Sequence, residues 1–124
     1  MANQLDPTRP RIEDALLDDI ALVVLSGEFD AFSGPAVEAH LVRAVDGGVY
    51  EMVVDMSAVS FVDISTLYGI VRAIKEVYRH NGHLIVVTES FPVLRAIDLA
   101  GLRHAIRVMA TREEALDALR PAAA

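Results

Sequence analysis

Residues 50–87 have the sequence YEMVVDMSAVSFVDISTLYGIVRAIKEVYRHNGHLIVV, in which two apolar runs flank a long amphipathic segment. The runs at 50–56 and 84–87 are short, continuous and rich in β-branched residues, which is typical of buried strands. Between them, one helical face is marked by apolar residues at the expected spacing: Leu67, Ile70, Val71, Ile74, Val77 and Tyr78. We therefore predict a strand, a helix over residues 65–80 and a second strand.

The same alternation continues on both sides of this stretch. Apolar runs predict strands at 20–25 and 105–109, and residues 11–17 are a weaker candidate for an edge strand. Helices are predicted after Ser33 (a candidate cap), over residues 92–99, and after Thr111.

Strands that alternate with helices imply right-handed crossovers and parallel pairing. The expected fold class is α/β, with a mixed, mostly parallel β-sheet of four to five strands packed against about four helices. A chain of 124 residues is expected to form one domain. We place it at residues 11–120, after a flexible N-terminal lead-in at residues 1–10 that carries Pro7 and Pro10.

Composition and charge exclude several classes of protein. The formal net charge is −7, which disfavours nucleic acid as a partner because its binding needs Lys and Arg against phosphates. Without cysteine, disulfides and Cys-containing zinc sites are excluded. No secretory signal and no apolar run of about 20 residues is present. We expect a cytoplasmic protein with no direct membrane insertion.

The chain shows no motif for enzymatic chemistry. Its four histidines, His40, His80, His83 and His104, form no ligand motif, so we expect no metal site. Glycine-rich phosphate loops and the G-x-S-x-G elbow are also absent. We therefore expect no catalytic residues, no cofactor and no enzymatic activity.

Polar residues cluster between the strand at 50–56 and the following helix, ending in Asp63-Ile64-Ser65-Thr66. One interpretation is helix capping, because Asp, Ser and Thr side chains accept backbone N–H bonds at a helix start. The other is a phosphorylation site, because the positive end of the helix dipole stabilises an added dianion. The residues alone leave both interpretations open.

Four segments follow one another in a distinctive order: 25–30 (LSGEFD), 55–63 (DMSAVSFVD), 81–87 (NGHLIVV), and Arg95 with Leu99, Gly101 and Leu102. Together they resemble the STAS domain of bacterial anti-sigma factor antagonists over nearly the whole chain. The resemblance implies that the chain binds an anti-sigma factor, of the histidine-kinase-like ATPase type, and thereby releases a sigma factor. It implies a partner-binding site at Asp30, Asp63, Ile64, Ser65 and Thr66.

In this family the kinase phosphorylates a Ser or Thr directly after the matching Asp, and a second hydroxyl residue and a glycine follow. Here Asp63 and Ser65 match, but Ile64 occupies the acceptor position and Thr66 replaces the glycine. Three alternatives remain: the regulation is absent, Ser65 or Thr66 has taken over as acceptor, or the partner is not a kinase. Ile64 could serve as an exposed contact or could turn inward.

The function has two further alternatives. The first is a STAS interaction module of another complex, in stress signalling or lipid transport. The second is a small α/β enzyme or nucleotide binder, which no acid–base constellation supports. A homo-oligomer is compatible with each of them.

Overall fold

The polypeptide follows the predicted alternation of strands and helices. The computed structural model describes residues 6–121. Across them it contains β1 (Arg11–Leu17), β2 (Ile20–Phe29), α1 (Gly34–Asp46), β3 (Glu51–Val62), α2 (Ile64–Arg79), β4 (His83–Val87), α3 (Phe91–Leu99), β5 (Arg107–Met109) and α4 (Arg112–Leu119).

The five strands form one sheet in the order β1-β2-β3-β4-β5. β1 pairs antiparallel with β2, and the other pairs are parallel. Because each crossover moves one strand in the same direction, right-handed connections place α1, α2 and α3 on one face of the sheet. Helix α4 packs on the opposite face, where Ala115 and Leu116 meet Leu22, Val53 and Ile85. The predicted fold class is confirmed.

Strand β3 is longer than predicted. The sequence placed a polar loop after Met56, whereas the strand continues to Val62. Beyond Asp55 it no longer pairs with β4, and its neighbour is β2, with register shifts on either side of the Ser26–Gly27 pair. The extension pairs with β2 alone, and two register shifts interrupt that pairing. Its buried and exposed residues therefore do not alternate as they do in a regular strand, and polar residues occupy the exposed positions.

Two other predictions need correction. Tyr78 is exposed, although its spacing placed it on the apolar face of α2. Strand β5 begins at Arg107 rather than at Ala105, because residues 105 and 106 belong to the preceding turn, where their N–H groups bond to the carbonyl oxygen of Leu102.

Part of the predicted lead-in, residues 1–5, lies outside the described residues. The remainder contacts the end of β2: Glu28 N donates to the carbonyl oxygen of Thr8 at 2.9 Å. Gly27 has φ of +95°, and a Cβ there would lie 2.2 Å from the carbonyl oxygen of Arg9. Glycine at position 27 therefore permits this close approach of the backbone.

A buried carboxylate fastens α4 to the sheet. Asp55 is only 4% exposed, and its Oδ2 accepts a 2.8 Å hydrogen bond from Arg112 Nε. Its Oδ1 accepts from the backbone N–H and the hydroxyl of Ser57. Both carboxylate oxygens are therefore paired inside the protein.

Candidate functional site

The carboxyl ends of β2 and β3 bring the predicted site residues together. These strands are parallel, and Phe29 pairs with Val62 at their last position. Asp63 N donates to the carbonyl oxygen of Phe29 at 2.8 Å. The loop that begins at Asp30 and the first turn of α2 therefore start side by side at one edge of the sheet.

Asp63 is the N-cap of α2. Its backbone is extended, with φ −76° and ψ 150°, and its side chain accepts from Ser65 N at 3.4 Å. Its carbonyl oxygen accepts from Thr66 N at 3.0 Å. The capping interpretation therefore holds for Asp63, whereas Ser65 and Thr66 lie inside the helix.

The three residues after Asp63 differ in exposure. Ile64 is 47% exposed, so it points outward rather than into the core. Ser65 is also exposed. Thr66 is 1% exposed, and its Oγ1 is buried without a hydrogen-bond partner among the described residues. Only Ile64 and Ser65 of this trio present their side chains to solvent.

Asp30 organises the loop before α1. Its Oδ1 accepts from Phe32 N and Ser33 N, both at 2.9 Å, and from the hydroxyl of Ser33 at 3.0 Å. The pKa of this exposed carboxyl lies below its ordinary value. The main cause is the pair of hydrogen bonds from the backbone and hydroxyl of Ser33, and the bond from Phe32 N adds to it. Asp30 therefore carries a negative charge at neutral pH.

Ser33 was predicted to cap α1, and the structure agrees with this prediction in position only. Ser33 occupies the N-cap position, but its side chain makes no capping bond. Its hydroxyl instead accepts from Asp30 N at 2.9 Å. The loop uses Ser33 to close on Asp30, so the hydroxyl is not available to the helix N–H groups.

Helices α1 and α2 meet at Gly34 and Thr66. A Cβ at Gly34 would lie 2.1 Å from Thr66 Oγ1 and 3.3 Å from Thr66 Cβ. Gly34 has no side chain, and Thr66 fills the space that one would occupy. Thr66 is also the residue that stands where the family pattern has a glycine.

We expect Gly34→Ala to lower the free energy of unfolding by about 1–2 kcal/mol, because the added methyl overpacks the contact with Thr66. In a Thr66→Ala background most of this cost should vanish, since the clashing Oγ1 is gone and the Cβ of residue 66, at 3.3 Å, has to shift by only a few tenths of an ångström. Urea denaturation of the four chains of this double-mutant cycle measures the coupling. Gly47→Ala is the matched control, because its Cβ would meet nothing closer than 3.4 Å. Additive effects of Gly34 and Thr66 would contradict the assignment.

Exposed aromatic side chains surround this edge, and sequence reasoning missed them. Phe32 is 95% exposed in the loop after Asp30. Phe61 at the end of β3 and Tyr68, one helical turn after Ile64, are also exposed. A signal existed for Phe32, which stands in the loop between Asp30 and Ser33, outside any apolar stripe. Exposed aromatic rings are enriched at protein interfaces.

The histidines and carboxylates of the described residues form no metal cluster at this edge. Residues 6–121 contain no group of three or more His, Asp or Glu side chains that could hold a metal ion. His40 pairs with Asp14, His83 with Glu51, and His80 stacks on Tyr50, all outside the site. Within residues 6–121, no helix has both the length and the hydrophobicity needed to span a membrane.

Comparison with known proteins agrees with the geometry. The family model for the STAS domain matches residues 11–115. The chain belongs to the STAS domain family.

Relatives of this STAS domain include anti-sigma factor antagonists. The anti-sigma-B factor antagonist of Staphylococcus epidermidis is 28% identical over 97 residues, which cover 78% of this chain and 90% of the relative. An anti-sigma factor antagonist of Mycobacterium paratuberculosis has a crystal structure that is 26% identical, with a TM-score of 0.77 and coverage of 93% of this chain and 97% of that chain. The unphosphorylated form of the antagonist SpoIIAA, at 23% identity, has a TM-score of 0.76 with coverage of 90% and 96%. This last match concerns the fold alone.

Proposed function

We propose that this STAS domain is an anti-sigma factor antagonist, which binds an anti-sigma factor in the cytoplasm and so releases a sigma factor. Relatives that carry this description support the proposal at the level of the family. Its activity is binding rather than catalysis.

We assign the interaction to a docking surface formed by Asp30, Phe32, Asp63, Ile64 and Ser65. The observation that carries this assignment is the exposed Ile64 at the start of α2, directly after Asp63. An apolar side chain inside a charged rim is the usual anatomy of a protein interface. Thr66 supports this surface from below, because it packs against Gly34 where the two helices meet.

The direct test uses the purified chain and the purified anti-sigma factor of the same organism, with binding measured by calorimetry. Release of the sigma factor from its complex with the anti-sigma factor is the functional readout. Binding without release would contradict the proposal and favour a STAS module of another complex.

We further propose that the anti-sigma factor is a kinase of the histidine-kinase-like ATPase type and that Ser65 is the relocated phospho-acceptor. Of the two hydroxyls that follow Ile64, that of Ser65 is exposed and that of Thr66 is buried. Ser65 lies in the first turn of α2, where the dipole favours a phosphate. The carboxylate of Asp63 would repel that phosphate, so phosphorylation would change the charge of the docking surface strongly.

Incubation with the kinase and ATP should add one phosphate to Ser65, and mass spectrometry locates it. Ser65→Ala should remove the modification completely, because the neighbouring Thr66, the other candidate acceptor, is buried. Thr66→Val is the matched control and should leave the phosphate in place. Phosphate on any other residue, or none, would refute the relocated switch while leaving the docking proposal intact.

A further inference from the structure

A cavity lies between the edge strand β1, strand β2 and the second half of α1. Its volume is about 340 Å³, within the range of small-molecule sites, and it is open to solvent on one side. Leu16 pairs with Ala21 and Asp14 with Val23 across β1 and β2, so these four side chains share the face toward α1. The short side chains of Ala21 and Ala44 leave the space that the cavity occupies.

The walls of the cavity are apolar and its rim is charged. Leu16, Val23 and Val49 contribute apolar surface, and Leu16 remains largely exposed although it lines the cavity. At the rim, His40 Nδ1 lies 2.6 Å from Asp14 Oδ2 and links α1 to β1. This pairing occupies the Asp14 carboxylate.

Arg43 also lines the cavity, in the last turn of α1. Among residues 6–121 the ion pairs join other cations to carboxylates, and none of them uses Arg43. The rim therefore carries one guanidinium that no carboxylate of the described chain neutralises. A guanidinium binds a carboxylate through parallel hydrogen bonds.

We propose that this cavity binds a small amphipathic carboxylate, whose single aliphatic chain lies against Leu16 and Val23 and whose carboxylate pairs with Arg43. Apolar walls with a few polar or charged groups at the rim are the usual composition of a ligand site. Charge complementarity selects an anionic head group, and the volume selects a single short chain.

Octanoate is the probe, and octanol is its uncharged counterpart. Titration of the full-length ¹⁵N-labelled chain with octanoate should shift the amide resonances of Ala21, Val23 and Ala44. Arg43→Gln should weaken octanoate binding about tenfold, because it removes a charge-assisted hydrogen bond, and should leave octanol binding unchanged. Arg107→Gln removes another exposed arginine, on β5, and should change neither ligand.

Ala44→Leu fills the cavity and should abolish the binding of both ligands. If that variant does not fold, the contrast between Arg43→Gln and Arg107→Gln still decides the proposal. Shifts centred on exposed aromatic residues such as Phe32, or equal octanoate affinity in both arginine variants, would overturn it.

Discussion

Ile64→Asp should weaken binding of the anti-sigma factor by about 100-fold, the loss expected when an apolar hot spot is replaced by a charge. The substitution removes the exposed apolar side chain and adds a third carboxylate beside Asp30 and Asp63. The fold should survive, because an acidic residue in the first turn of a helix interacts favourably with the dipole. Calorimetric titration of the purified partner measures the change in affinity, and circular dichroism checks the helix content.

Leu99→Asp is the matched control for this prediction. Leu99 is another exposed aliphatic residue, with 74% of its surface accessible. It is the last residue of α3, whereas Ile64 is the first residue of α2. Its replacement should leave the affinity within about twofold, as expected for a residue outside the interface. If Leu99→Asp weakens binding as much as Ile64→Asp does, the interface extends over α3 and the docking surface is wrongly bounded. If neither variant loses affinity, the partner binds elsewhere.

The isoleucine that this chain carries at position 64, where the family pattern has a phospho-acceptor, has two linked consequences. A hydroxyl at position 64 would offer a phosphorylation site, whereas isoleucine offers apolar area that can be buried against a partner. Burial of an isoleucine side chain stabilises a contact by roughly 1.5–3 kcal/mol. We therefore expect this STAS domain to bind persistently unless Ser65 supplies the missing switch.

The order of the elements could be predicted from the sequence because each core strand carries a continuous apolar run. The runs at 20–25, 50–56 and 84–87 correspond to strands with burial on both faces. The continuation of β3 to Val62 could not be predicted in the same way. That segment borders β2 alone and contains exposed Ser57, Ser60 and Phe61, so its composition is typical of a loop.

The predicted site residues lie at one edge of the sheet, but the sequence analysis did not predict which of their side chains are exposed. The helical period contained the missing information, because Thr66 precedes Ile70 by four residues and therefore lies on the buried face of α2. Ile64 and Tyr68 share the exposed face for the same reason. The contact between Thr66 and Gly34 could not be predicted, since it depends on how closely two helices from different parts of the chain approach.

Asp55→Ala should produce the largest loss of stability among the polar substitutions. The carboxylate is buried, and its removal leaves Ser57 and Arg112 without their shared acceptor. Breaking a buried ion pair costs about 3–5 kcal/mol, and we expect about 3 kcal/mol because the half-exposed Arg112 can turn to water. Urea denaturation measures the free energy of unfolding.

Asp98→Ala is the matched control, because Asp98 also pairs with an arginine. Its two oxygens accept from Arg103 Nε and Nη2, both at 2.7 Å, but at the surface. An exposed pair contributes about 0–1 kcal/mol, so this variant should remain close to the wild-type stability. Equal losses in the two variants would show that burial of Asp55 contributes nothing beyond a surface ion pair.

The cost of Asp55→Ala should depend on pH. Burial alone raises the pKa of the Asp55 carboxyl, but the hydrogen bonds from Ser57 and then the contact with Arg112 outweigh it, so the pKa lies below its ordinary value. The native state therefore binds its proton only at lower pH than the unfolded chain does, and the contribution is complete above the unfolded pKa of about 3.9. It decreases as the pH falls through the native pKa. The stability difference between wild type and Asp55→Ala should thus be constant near neutral pH and should shrink in strong acid; a difference that grows on acidification would contradict a lowered pKa.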